Sequence, residues 1–365
     1  MSRAIDESRA HYCVVLLTGL GDVVHGLPLV NAIRDAYPHA AITWVVEPMP
    51  SAILEGQSSI DNVVVYRRAE GLGGISRLRR DLRSLAPVDI TLNLNVYIKS
   101  VWPTFLSGAR RRIGFDKNRS HEGVWLASNE RLEAAPRAHT ADMFLEFAKH
   151  LRIPVPHPEW RLSFTPGEIA SQAGFFRKFD GTPVATIVPA SASIKKDWIA
   201  ERWAAVAEQL VRQHGFRVVL AGGPGNREQQ IAREIVARAG VPIEWGMGDS
   251  VRQLAWILAG SSLVLAPDTG PVHIARAFDV PVVGIYGHTN PWRVGPWRAF
   301  ADLWVDRYTE PGEVGNPSNR TPKWERMPTI TVDDVMEKVA VAVTKYGVLE
   351  RAAGRNTVFP VGTEE

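Results

Sequence analysis

The chain has 365 residues, 45% of them hydrophobic and 22% charged, with a formal net charge of +3 and one cysteine. That length is more than one core ordinarily fills, so two domains are expected. The lone Cys13 excludes an intrachain disulfide framework and a cysteine-rich metal site, and no apolar run reaches the roughly 18–20 residues of a membrane span.

The charged start (Arg3, Asp6, Glu7, Arg9) is not that of a secretory signal, and a cytoplasmic protein is expected. Taken in order, residues 14–17 form the first predicted strand, with Cys13 a buried thiol beside it. A helix follows over 22–36, stopped by Pro38, then strands over 42–46 and 63–66, a helix over 77–85 and a strand over 90–94. Short apolar runs separated by helical patterns imply a parallel sheet buried on both faces. The pattern pauses at Pro154, Pro156 and Pro158, read as a crossing between domains. It restarts with a strand over 184–188, a helix over 200–214, a strand over 217–220 and a helix over 227–239. An apolar stretch over 251–258, a strand over 263–266, a helix-like stretch from Ile274 and a strand over 280–286 complete it. Residues 308–323, rich in Pro, Gly, Asn and charge, read as a long loop before a last helix over 332–346. The expected fold is α/β, two Rossmann-like doubly wound domains facing a central cleft. They cover residues 1–165 and 166–331; 332–350 is a helix packing back on the N-terminal domain, and 351–365 a flexible tail.

Two strand-to-helix turns carry the chemistry. Ligands of such folds bind at the carboxyl ends of strands, where free N–H groups at a helix start attract anions. The turn from Thr18 to His25 imitates a dinucleotide fingerprint, but Val24 stands where the third glycine belongs, which argues against nicotinamide binding. Asp22 at the helix opening can serve as a general base on a hydroxyl or as a helix cap. His25, one turn on, reads as a packed histidine. In the second half, Asp268-Thr269-Gly270 and His273 follow the strand over 263–266, combining a carboxylate, an imidazole and a phosphate cradle. Ser191 to Trp198 follow the strand over 184–188, and the adjacent Lys195 and Lys196 suit either a diphosphate or a solvated loop. Gly222-Gly223-Pro224-Gly225 permit close ligand approach without the terminal Lys-Ser/Thr of a P-loop, and Glu228 can accept from ribose hydroxyls.

Together these segments resemble glycosyltransferase family 9, the ADP-heptose:lipopolysaccharide heptosyltransferases. The resemblance rests on Gly-Asp-Val-Val-His-x-Leu-Pro at 21–28, Lys-x-Trp at 196–198, Asp-Thr-Gly-x-x-His at 268–273 and Tyr-Gly-x-Thr-x-Pro at 286–291, in that order, and spans residues 14–297. It implies a GT-B fold, with the acceptor on the N-terminal domain and the nucleotide sugar on the C-terminal one. It further implies Asp22 as base, Lys196 on the donor's phosphate and sugar, and Asp268 on the sugar, making these three the catalytic set. Ser191, Glu228, Thr269, Gly270 and His273 complete the donor site. Departures are Ser191-Ala192 where a hydroxyl-rich pair is frequent, His288 for proline and Asn290 for aspartate.

The reaction so implied is inverting displacement of ADP from a β-linked ADP-sugar by an acceptor hydroxyl. It needs no cofactor and no metal, since fixed cations stabilise the diphosphate. Arg67, Arg68, Arg112, Lys117 and Arg119 are the candidate contacts to an anionic glycolipid acceptor, and the same charges allow peripheral contact with the cytoplasmic face of the inner membrane. The run of Arg77, Arg79, Arg80 and Arg83 reads as a solvated helix face. No nucleic-acid partner is expected. Other readings are a transferase using another nucleotide sugar or acceptor, and a nucleotide-sugar-binding protein without turnover.

Overall fold

The computed structural model describes residues 5–248, 250–351 and 354, and divides into two compact units, Met1–Arg161 and Leu162–Glu365. The expected tail lies, but for Arg351 and Gly354, outside the described residues. The division falls just past Pro158.

The first unit runs β1 (His11–Val15), α1 (Leu20–Ala36), β2 (Ala41–Val46), α2 (Pro48–Ser51), β3 (Asn62–Val65), α3 (Leu72–Arg83) and β4 (Ile90–Asn93). It continues with α4 (Val101–Leu106), β5 (Arg111–Gly114), β6 (Glu130–Arg131) and α5 (Thr140–His150). Its strands form one parallel sheet in the order β3-β2-β1-β4-β5-β6. β1 is central and wholly buried; its apolar residues run from Cys13, and His11 at its start is satisfied by the Ala86 carbonyl and the Thr43 hydroxyl. Cys13 lies in the core, where burial pushes its thiol up to about 12. α1 crosses the sheet closely because of Gly26: a Cβ there would meet the Trp44 ring at 2.8 Å and Leu16 at 3.0 Å. The close-packing glycine that seemed absent from the fingerprint is therefore supplied two positions after Val24.

The second unit runs α6 (Pro166–Arg177), β7 (Val184–Ile187), α7 (Ala200–His214), β8 (Arg217–Gly222), α8 (Asn226–Arg238), β9 (Ile243–Met247) and α9 (Val251–Ala259). Then come β10 (Leu263–Pro267), α10 (Gly270–Ala277), β11 (Val282–Tyr286), α11 (Pro291–Val294), β12 (Val305–Asp306) and α12 (Val332–Tyr346). This sheet is also parallel, ordered β12-β11-β10-β7-β8-β9. Counted within its own unit, each sheet has the strand order 3-2-1-4-5-6 of a doubly wound nucleotide-binding fold. The order reverses between β1 and β4, and between β7 and β10. Those two points are where a ligand crevice belongs.

Two expectations need revision, and one open segment takes a type. The acceptor candidate Arg112 is not on a simple basic face: with Arg111 it belongs to β5, where Arg111 bridges Glu7 at 2.6 Å and Glu130 at 2.9 Å. The segment 251–258, left open by the sequence, is the buried helix α9. The last helix was expected against the N-terminal half. Its buried face (Val335, Met336, Val339, Ala342) packs on α7, β11 and β12 of its own unit, because spacings of three and four residues align that face with their apolar surface.

Candidate active site

In the first unit, β1 ends in Leu16-Leu17-Thr18 and turns into α1 through Gly19, whose φ of +86° is the left-handed geometry glycine tolerates. A Cβ at Gly19 would lie 2.6 Å from the Asp22 carboxylate, so the glycine leaves that side chain its place in the first turn of α1. Asp22 is exposed at the rim. From the far side of the switch point, just past β4, Lys99 reaches back and donates to Thr18 Oγ1. Burial pushes the Lys99 ammonium below its ordinary value, while the charges of Asp22 and Glu47 partly restore it. Glu47, just past β2, pairs with Arg68, just past β3, at 2.9 Å. The carboxyl ends of four adjacent strands thus converge on a mixed rim of Asp22, Glu47, Arg68 and Lys99. His25 is not part of it: it is buried and meets the His139 ring edge-on, with ring centres 5.2 Å apart.

In the second unit the switch point joins Lys196, past β7, to Asp268, past β10. Lys196 Nζ donates to Asp268 Oδ2 at 2.7 Å. Burial alone would raise the Asp268 carboxyl, but Lys196, the His273 imidazole and a hydrogen bond from Thr289 outweigh it and hold the group below its ordinary value. Asp268 is therefore ionised at neutral pH, with Lys196 as its counter-ion. Thr269 and Gly270 open α10, whose first-turn amides and helix dipole face the same end of the sheet. His273 is buried one turn further along.

Ser191 is differently employed. Its hydroxyl donates to Ser193 O at 2.8 Å and its amide donates to Asp197 Oδ1 at 2.9 Å, while Arg227 holds both Asp197 and the Ser191 carbonyl. It shapes the lysine loop. Glu228 accepts from the Gly223 amide at 2.7 Å, and its carboxylate lies within 4 Å of where Cβ atoms would stand on Gly222, Gly223 and Gly225. Those glycines make room for the carboxylate.

The acceptor candidates separate. Arg67 and Arg68 follow β3 at the rim with Asp22, and Lys117 is exposed over the Trp125 ring. Arg112 spends its guanidinium on the carbonyls of Ala109 and Ala127, at 2.8 and 3.0 Å. Arg119 is no surface cation: it is 2% exposed, paired with Asp116 and Glu146, and donates to the Glu133 carbonyl. It is withdrawn from the acceptor set. Removing a buried partner leaves uncompensated charge. Arg119→Met is therefore expected to lower stability by about 3 kcal/mol in denaturant unfolding while ADP affinity stays unchanged.

The sequence reading missed Lys99, Glu47 and Thr289. Position just after a buried strand was the available signal for Glu47, the same signal that found Asp22; Lys99 lies further on, in the 3-10 turn Ile98–Ser100, where that signal does not reach. Asn290, a departure from the family pattern, has a physical reason. Its side-chain oxygen caps α11 at Trp292 N (3.1 Å), and its amide donates to the carbonyls of Asn316 and Asn319 at 2.8 and 2.9 Å. An aspartate could not make the two donations, so the asparagine fixes the loop over 308–323. His288 likewise reaches that loop, at the Lys323 carbonyl, 3.0 Å away.

Two doubly wound units, each with charged side chains at its switch point, are the architecture of a GT-B glycosyltransferase. Residues 75–314 match the family model described as "Glycosyltransferase family 9 (heptosyltransferase)". The chain belongs to that family and is a glycosyltransferase. It is 31% identical over 321 residues to the lipopolysaccharide core heptosyltransferase OpsX of Haemophilus influenzae, covering 87% of this chain and 90% of that one. A glycosyltransferase family 9 structure from Veillonella parvula superposes with a TM-score of 0.76 at 22% identity, over 93% of this chain and 99% of that one. The E. coli heptosyltransferase WaaC with ADP gives 0.68 at 22% identity, over 94% and 99%.

Proposed function

We propose that this glycosyltransferase transfers heptose from ADP-heptose to the inner core of lipopolysaccharide, with inversion at the anomeric carbon. The observation that carries the reading is the Lys196–Asp268 pair at the β7/β10 switch point, beside the start of α10. The pair offers a diphosphate one mobile cation and a helix dipole, and offers the sugar hydroxyls an ionised carboxylate. The names of the OpsX and WaaC relatives, which give lipopolysaccharide core for one and ADP for the other, support this choice of acceptor and donor.

In this mechanism the acceptor hydroxyl attacks the anomeric carbon as its proton passes to Asp22, and the bond to the diphosphate oxygen breaks on the opposite face. Lys196 and the first amides of α10 stabilise the charge gathering on ADP. His273 and Thr289 keep Asp268 ionised to orient the sugar. Glu228 binds the ribose, and Arg67, Arg68 and Lys117 meet acidic groups of the acceptor.

Calorimetric titration with ADP, ADP-heptose, UDP and NADH, in the presence of a chelator, tests the donor. Binding of the two ADP compounds alone is expected; binding of UDP alone would replace the donor. Transfer to a heptose-deficient core acceptor, with the product's anomeric configuration read by NMR, tests the rest. Absence of transfer to that acceptor would discard the lipopolysaccharide assignment.

A further inference from the structure

The stretch from Ile98 to Leu106 is folded inside out. Its polar Ser100 and Thr104 are wholly buried, Thr104 Oγ1 donating to Ser100 O at 2.8 Å, while Ile98, Trp102 and Phe105 are 55%, 53% and 46% exposed. Those three recur at the i, i+4, i+7 spacing that places residues on one helical face. They run from the 3-10 turn Ile98–Ser100 directly into α4. Leu126, 63% exposed, joins them from the turn Val124–Ala127, which packs against α4. The two segments are tied by the stacked rings of Tyr97 and His121, 5.2 Å apart, and by the Ile98 amide donating to Glu122 at 3.1 Å. Isolated exposed apolar residues need no explanation, but a contiguous group of large ones marks a binding surface.

Cations border this group. Arg112 lies 5.5 Å from the Phe105 ring centre, and Lys117 and Arg131 lie over Trp125 at 5.3 and 5.1 Å. Beyond Phe105 the surface continues into a groove of ≈ 460 Å³, lined by Leu82, Leu85 and Leu106 and rimmed by exposed Arg79 and Arg83. Of the carboxylates on these segments, Glu122 accepts from the Ile98 amide and Glu130 is bridged to Arg111. Exposed aromatic and aliphatic side chains bordered by cations fit the interface of a membrane with anionic lipids.

We propose that this face of the first unit docks on an anionic phospholipid bilayer. Ile98, Trp102, Phe105 and Leu126 enter the headgroup region, and Arg79 and Arg83 meet lipid phosphates. The proposal deepens the reading above, because a glycolipid acceptor lies in such a bilayer, and Ile98 adjoins Lys99 at the rim that carries Asp22. Co-sedimentation with phosphatidylglycerol/phosphatidylethanolamine vesicles, without donor or acceptor, tests docking independently of heptosyl transfer. The full chain is expected to bind these vesicles, to bind phosphatidylcholine vesicles weakly, and to lose binding as salt rises. Trp102→Ser/Phe105→Ser should lower vesicle partitioning about tenfold or more. Its ADP affinity and its rate on a deacylated, water-soluble acceptor should not change. Arg79→Gln/Arg83→Gln should remove part of the salt-sensitive binding. Failure of the unaltered chain to bind anionic vesicles would overturn the proposal. So would undiminished binding by the aromatic variant, or a change in oligomeric state in its place.

Discussion

Asp22→Asn is expected to lower heptosyl transfer by about 10²–10⁴-fold, the range that a positioned general base contributes. ADP and ADP-heptose affinity should stay as in the unaltered chain, because the donor groups lie on the other unit's sheet. The substitution keeps the side chain's size and the Gly19 turn that makes space for it, so the fold is unaffected. It removes only the ability to accept a full proton from the attacking hydroxyl. Single-turnover rates with donor bound, together with calorimetric ADP affinity, separate the two effects. Retained turnover would transfer the base role elsewhere on the rim, with Glu47 the next carboxylate to test. Loss of ADP affinity would mean that Asp22 acts through the donor.

Lys196→Ala should weaken donor binding and slow transfer together, the rate by about 10²–10³-fold, as when a fixed donor to a developing anion is lost. Two things change at once. The diphosphate loses its cation, and Asp268, almost fully buried, loses its counter-ion. Burial then dominates and the Asp268 carboxyl rises toward neutrality, since Lys196 is the first of the groups opposing that rise. The sign follows: with Lys196 present Asp268 stays ionised well into acid, and without it the variant's residual transfer should fall as pH is lowered from neutrality. Lys196→Arg restores charge but not the compact ammonium, and should recover binding more than rate. An unchanged donor affinity in the alanine variant would leave this lysine a loop residue.

Much of this site was legible because one rule places it. Buried parallel strands read as short apolar runs, and the residues just past their carboxyl ends are the ones a ligand meets. Asp22, Lys196 and Asp268 were found that way. The helix over 200–214 and the last helix over 332–346 match α7 and α12 residue for residue, both having a clear apolar stripe between start and stop signals. What escaped did so for physical reasons. β5 hides behind Arg111 and Arg112, whose charges are satisfied by Glu7, Glu130 and backbone carbonyls that no local pattern reveals. Arg119 looked like part of a basic surface because its partner Glu146 is distant in sequence. The local task of Ser191, whose hydroxyl closes its own loop, was equally hidden from the sequence.

The shared strand order has a consequence for how such enzymes diversify. Each sheet has its own strand pairing and its own buried centre, so neither half needs the other to complete its hydrogen-bond ladder. With the donor on the second unit, as proposed, substitutions in the loops after β7, β8 and β10 can therefore retune the activated sugar without disturbing β1 to β6. With the acceptor on the first unit, as proposed, changes after β3 can likewise select a new acceptor without disturbing β7 to β12. An enzyme divided in this way can change what it gives independently of what it gives it to, and hybrids joined near Arg161 are the natural way to build new pairings.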